Sequence, residues 1–293
     1  MSSSRRPAPT EPLSSLPAGP CHRVCRGWSL GVVGGPPGPS TLRGVSVGQI
    51  ILVMLAGFAC GVVNSIAGGG SLLLFPALVA TGMGTLAANV TNSVASWPGY
   101  VGGVVGFRKE LVGQRGRVAL LGAATLLGSS VGCILLLSTP SAAFDAVVPF
   151  LVAGASLLLA AQPTLKARFS QPGGDAPPLA VAAAAVAVAT VYGGYFGGGL
   201  GVILLVVLSF TIRDSLVRLN GLKTALSVVD ASVSVVIFGL FGPVHWEAVA
   251  LAAPLTLVGG FVGARVARLI DENVLRWSVA GFGLVVAAAL AVT

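Results

Sequence analysis

The sequence predicts an all-α polytopic membrane protein of two pseudosymmetric, inverted repeats with glycine-broken helices, and three observations carry the prediction. Mean hydropathy is +0.93, and only 9% of residues are charged, against roughly 25% in an average soluble domain. Apolar runs recur at lengths suited to crossing a bilayer core of about 30 Å. The chain also matches itself at a fixed offset, with a glycine triplet in each copy.

Residues 1–45 contain SSSRRPAPTEP and GGPPGPS, without a periodic apolar pattern, and read as a disordered tail. The tail lacks the shape of a secretory signal, because its arginines are spread along it and no small-residue cleavage site follows the first long apolar run. Long apolar runs follow at 47–66, 88–107, 117–138, 144–161, 178–196, 220–241, 247–264 and 275–292. Two shorter ones, 71–82 and 200–212, directly follow glycine clusters and have the length of re-entrant or broken helices. The organisation expected is tail 1–45, first repeat 46–165, linker 166–177 and second repeat 178–293.

The repeat is an ungapped match at an offset of 131 residues, which lays Gly68, Gly70, Leu73, Asn89, Ser96, Thr125, Gly128 and Gly132 on Gly199, Gly201, Leu204, Asn220, Ser227, Thr256, Gly259 and Gly263. Its sense follows from the basic residues. Arg108, Lys109, Arg115 and Arg117 share one loop, whose counterpart at 242–247 has neither Lys nor Arg. Loop 138–145 has none either, while its counterpart carries Arg265, Arg268 and Arg276. If each short run counts as a crossing, these seven join Lys166, Arg168, Arg213 and Arg218 on one face, and the positive-inside rule makes that face cytoplasmic. The count puts both termini outside, against Arg5, Arg6, Arg23, Arg26 and Arg43 of the tail; a partial crossing by 47–82 would remove that conflict.

Glycine breaks at membrane depth free backbone groups that hydrocarbon cannot satisfy, so they belong where they are buried in protein or line a cavity. Gly68-Gly69-Gly70 and Gly197-Gly198-Gly199 each precede a short helix, whose N-terminus favours an anion. Discontinuous helices at matching places in two halves point to a transport site near the midplane. Asn89, Asn92, Ser93 and Ser96 share one helical face by their spacing, as do Asn220, Lys223, Thr224 and Ser227, and each face is expected to turn toward the glycine bend of its own half. The competing reading is close helix packing, favoured for Gly102, Gly103, Gly128 and Gly132.

Lys223 stands inside a long apolar run, where a charge is costly and is usually functional or paired. It contacts an anion, snorkels to the basic face or pairs with Asp230, seven residues on. Asp230 is the other ionisable group within a span and a candidate for proton coupling.

Two stretches, GFACGVVNSIAGGGSLLLFPALVATGMGTLAANVTNS and RLNGLKTALSVVDASVSVVIFGLFGPVHWEAV, resemble the signature regions of the TauE/SafE sulfite exporter family of membrane permeases. The resemblance covers about residues 46 to 292. It implies a bacterial-type cytoplasmic-membrane permease for sulfite, a sulfonate or a related small oxyanion. By motif it marks Gly68, Gly69, Gly70, Asn89, Asn92, Ser93, Gly197, Gly198, Gly199, Asn220, Lys223 and Thr224 as site-lining; Asp230 stands where a neutral residue is the more usual.

An enzyme is disfavoured. The two histidines, His22 and His245, lie in the tail and in a loop, and no carboxylate pair sits in an apolar span. Cys21, His22 and Cys25 are too few for a metal site, and Cys60 and Cys133 lie in apolar runs, so no metal or cofactor is expected. GGGLGV at 197–202 lacks the strand that a nucleotide-binding loop needs before it. The net charge of +8 is explained by short loops flanking apolar spans, which argues against nucleic acid. The partners expected are a small anion, the lipid bilayer and, as a candidate, further copies of the chain; the alternative is a non-transporting scaffold or accessory subunit.

Overall fold

The computed structural model describes residues 46–169, 178–267 and 272–292. The expected tail, its Cys21, His22 and Cys25, and most of the linker lie outside them. Ten helices and no strands are found among the described residues: α1 (Val47–Ile66), α2 (Ser71–Val79), α3 (Thr85–Gly106), α4 (Arg115–Ser138), α5 (Ser141–Phe169), α6 (Leu179–Tyr195), α7 (Leu200–Thr211), α8 (Leu216–Phe241), α9 (Trp246–Val266) and α10 (Glu272–Val292).

Local chemistry sets several boundaries. Ser46 and Gln49 form a reciprocal capping box that starts α1. The Ser215 hydroxyl accepts the Arg218 amide at 3.4 Å and starts α8 one turn before its apolar run. Six helices among the described residues (α1, α4, α8, α9, the first 22 residues of α5 and Val274–Val292 of α10) are long and apolar enough to cross a membrane. Large apolar side chains cover their outer faces, including Leu126, Leu127, Val131 and Ile134 on α4, Phe150 and Leu157 on α5 and Val285 on α10. A lipid bilayer accounts for them, since in water so much exposed apolar surface would need a partner.

Inner faces use small residues. Gly102 of α3 lies against the backbone of Leu257 and Phe261 in α9, and Gly128 and Gly132 of α4 lie against α6 at Ala187 and Val191. The packing reading therefore holds for these glycines.

The halves interlock. Helix α9 packs between α1 and α3, and α4 packs between α6 and α8, so the fourth helix of each half belongs spatially to the other. Helix α3 meets α8, and α5 meets α10. Exchanging α1–α5 with α6–α10 maps nearly every one of these contacts onto another, the pattern of a two-fold pseudosymmetric pair.

On one face, the Gln49 side-chain amide donates to the Ala80 carbonyl at 3.3 Å, so α1 begins where α2 ends. Residues 47–82 thus enter and return, which keeps the N-terminal end of α1 on the face of the α2–α3 connection. His245 of the α8–α9 connection and Glu247 in the first turn of α9 join Gln49, Thr81 and Gly84 there around a cavity of about 270 Å³. At the other end of α8, Arg117 meets Asp214 at 2.7 Å, and the Gln114 side-chain amide donates to the Arg218 carbonyl at 3.2 Å. Since α8 is 26 residues, or about 39 Å, long, the α3–α4 connection and its counterpart α8–α9 lie at its opposite ends, which is compatible with inverted repeats.

Asp214 ties the basic connections together, receiving Arg117 from α4 and, at 3.1 Å, the Arg218 Nε one helical turn on. Burial works against its charge, but the Ser215 amide and the two guanidiniums outweigh it and hold the carboxyl below the usual carboxylate range.

Candidate functional site

Helix α1 ends because Gly68 turns left-handed at φ 91°, its amide reaching back 2.8 Å to the Val63 carbonyl. Helix α6 ends in the same way at Gly197, with φ 73° and an amide 3.4 Å from the Tyr192 carbonyl. These two residues are 129 apart, whereas α3 and α8 start 131 apart. The ungapped match slips here because α7 is three residues longer than α2 and the connection after it one shorter.

Beyond each bend a short helix begins. Asn64 holds the first, its Oδ1 accepting the Gly70 amide at 2.8 Å; Gly69 lies between, against Leu159. In the second, the Tyr192 hydroxyl donates to the Gly198 carbonyl at 2.7 Å, and Gly199, at φ 79°, caps α7. The bends touch: a Cβ on Gly68 would come 2.6 Å from the carbonyl carbon of Gly201. With α2 and α7 only 9 and 12 residues long, about 14 and 18 Å, both bends lie within the thickness of the spans.

The two polar faces converge on this point, but each serves the other half. Asn89 of α3 donates through Nδ2 to the Tyr195 carbonyl at the end of α6, at 3.0 Å. Asn220 of α8 donates through Nδ2 to the Ser65 carbonyl at the end of α1, at 3.1 Å. A Cβ on Gly197 would stand 3.9 Å from Ser93 Oγ. The expectation that each face turns to its own bend is corrected: α3 and α8 pack together across the halves, which brings each to the free C-terminal carbonyls of the opposite broken helix. Ser93 and Thr224 close the pattern locally, donating to the Asn89 and Asn220 carbonyls at 3.0 and 2.8 Å.

Lys223 is 1% exposed and stands two turns inside α8, so it does not snorkel. Its ammonium donates to the Asn64 carbonyl at 3.2 Å, against the negative end of α1. Asn64 thereby connects the lysine to the Gly70 amide at the start of α2. Asp230 is about 10 Å of helix rise farther along, where Ser129 of α4 donates to its Oδ1 and Gly193 of α6 leaves it room.

Four buried polar atoms on α3 and α8 have no hydrogen-bond partner: Asn89 Oδ1, Asn92 Oδ1, Asn220 Oδ1 and Ser227 Oγ. For Asn89 and Asn220 the orientation is fixed, since Nδ2 is committed to a carbonyl, and what remains for a ligand is an acceptor. The site therefore offers a cationic donor at Lys223, helix N-termini at α2 and α7, and a set of oxygen acceptors. None of the residues expected to line the site borders the cavity beside Gln49.

Asn64, Ser65, Ser129, Tyr192 and Tyr195 were not expected to contribute. Asn64 had a signal, as an amide two residues before a helix end in an apolar run. Ser65 and Tyr195 act through their carbonyls, which no side-chain pattern encodes.

A family model described as sulfite exporter TauE/SafE matches residues 53–290. A protein of Haemophilus influenzae named "Probable membrane transporter protein" is 25% identical over 238 residues, covering 79% of this chain and 90% of its own. "Probable membrane transporter protein YfcA" of Escherichia coli strain K12 is 29% identical over 220 residues, covering 75% of this chain and 78% of its own. No solved structure matches the chain.

Proposed function

The chain belongs to the sulfite exporter TauE/SafE family and is a membrane transporter, and from that premise we propose that it carries a small sulfur oxyanion, sulfite or an organosulfonate, across a bacterial-type cytoplasmic membrane. The observation that supports this reading best is the Lys223 ammonium, buried at the meeting point of two broken helices. A fixed cation there lowers the cost of bringing an anion to membrane depth. The anion rests against Lys223 and the turns at Gly68, Gly69, Gly70 and Gly197, Gly198, Gly199, with Asn89, Asn92, Ser93, Asn220 and Thr224 forming the walls. Asp230, held by Ser129, is outside this contact and is the group to which we assign proton exchange.

Sulfite uptake into proteoliposomes of the purified full-length protein tests the substrate class. Saturable flux is expected, inhibited by the transported class among thiosulfate, sulfate and an organosulfonate. No flux with any of these would reject the sulfur-oxyanion reading and favour a different substrate.

The two repeats, 46–165 and 178–293, are proposed to be inverted, with the basic connections cytoplasmic. Single cysteines placed at 108–117 and at 239–248, in a background lacking the native cysteines, should be labelled from opposite sides by a membrane-impermeant maleimide. Labelling of both from one side would overturn the inversion.

A further inference from the structure

The two polar faces are equivalent in position but not in charge. Asn89 and Asn220 are 131 residues apart and do the same thing, each donating to a carbonyl at the end of the opposite half's broken helix. Three residues on, the second face carries Lys223, whose ammonium meets the end of α1. At the equivalent place the first face carries Asn92, 1% exposed, with an oxygen that has no partner. The last turn of α6, which this face addresses, contains no basic residue of its own. One helix end is thus met by a tethered cation, while the other is met by the neutral Asn89 amide, on a face where Asn89 Oδ1 and Asn92 Oδ1 are left without a partner.

We propose that a monovalent metal cation binds at the α6 break, between Asn89 Oδ1, Asn92 Oδ1 and the C-terminal carbonyls of α6, in the position that the Lys223 ammonium takes in the other half. The ligand set is the reason for the charge class. Amide and backbone oxygens are hard and uncharged, enough to replace part of the water shell of sodium, whereas calcium and magnesium sites call on carboxylates. Among the described residues no group of three His, Cys, Asp or Glu side chains could hold a metal, and Asp230 is held by Ser129 of α4. The cation would stand beside the Lys223 half without depending on which anion, if any, is carried there.

The test uses purified full-length protein with no oxyanion present. Thermal unfolding is followed at constant ionic strength as choline chloride is replaced by sodium chloride, with potassium and lithium chloride in parallel. A binder specific to the folded state raises the midpoint in a saturable way, and a rise of several degrees is expected. Asn92→Lys supplies a tethered ammonium and should abolish the sodium response while unfolding in choline at or above the parent's midpoint. Asn92→Leu, which removes the ligand without adding charge, should abolish the response without that gain and serves if the lysine variant does not fold. Saturation by potassium in place of sodium would support the site and fix its size. Equal parental midpoints in choline and all three metal chlorides, or a full sodium response in Asn92→Leu, would overturn the proposal.

Discussion

Lys223→Met is expected to cut oxyanion flux at least tenfold while leaving the protein as stable as the parent or slightly more so. The two effects separate because the ammonium does two different things. A charged hydrogen-bond donor to a bound anion contributes about 1.5–3 kcal/mol, a factor of roughly ten to a hundred in binding. In the substrate-free protein the same charge is buried at 1% exposure, and a buried charge costs stability even when a carbonyl partly compensates it. Methionine fills a similar volume without that cost. Flux and thermal midpoint measured on one preparation decide the matter: parental flux would remove Lys223 from the site, whereas a large drop in midpoint would make it a structural cap of α1.

The largest stability effect is expected at Gly68→Val. A β-branched residue held at φ 91° is strained by about 1–3 kcal/mol. Its Cβ would lie 2.6 Å from the Gly201 carbonyl carbon and 2.7 Å from its Cα, and backbone cannot rotate away as a side chain can. Overpacking adds about 1–3 kcal/mol more. The variant should lose several degrees of thermal stability or fail to elute as a single species in detergent. Gly82→Ala is the control, since Gly82 has φ 92° but nothing within 4 Å of a Cβ, and should lose only the backbone part. Equal midpoints for Gly68→Val and the parent would mean that the two bends do not touch.

The helices were legible because each long apolar run carries its own signal. Starts moved where the apolar run and the cap disagree: α8 begins at Leu216 rather than 220, since Ser215 caps it while Arg218 and Asn220 interrupt the hydrophobicity. Helix α5 continues to Phe169, four residues into the expected linker. The two polar faces were legible as faces, because i, i+3, i+4 spacing is local information. Which bend each face serves was not, because that depends on α3 packing against α8 and on carbonyls that carry no sequence signal. The slip from 131 to 129 at the bends was hidden for a related reason: runs of glycine align equally well in more than one register.

The interlocked fourth helices also bear on how the chain is made. Helix α1 rests on α9, and the Ser65 hydroxyl donates to the Gly260 carbonyl 195 residues later at 2.8 Å. At about 5–20 residues per second, the ribosome needs about 10 to 40 seconds to supply that partner. For most of that interval the first bend lacks Asn220, Lys223 and α9, so the N-terminal hairpin is committed to the membrane before anything exists to complete it. Assembly is then a late docking of two halves already inserted, and a chain cut between α5 and α6 has a route to the same structure if both pieces are made together, whereas neither piece made alone does.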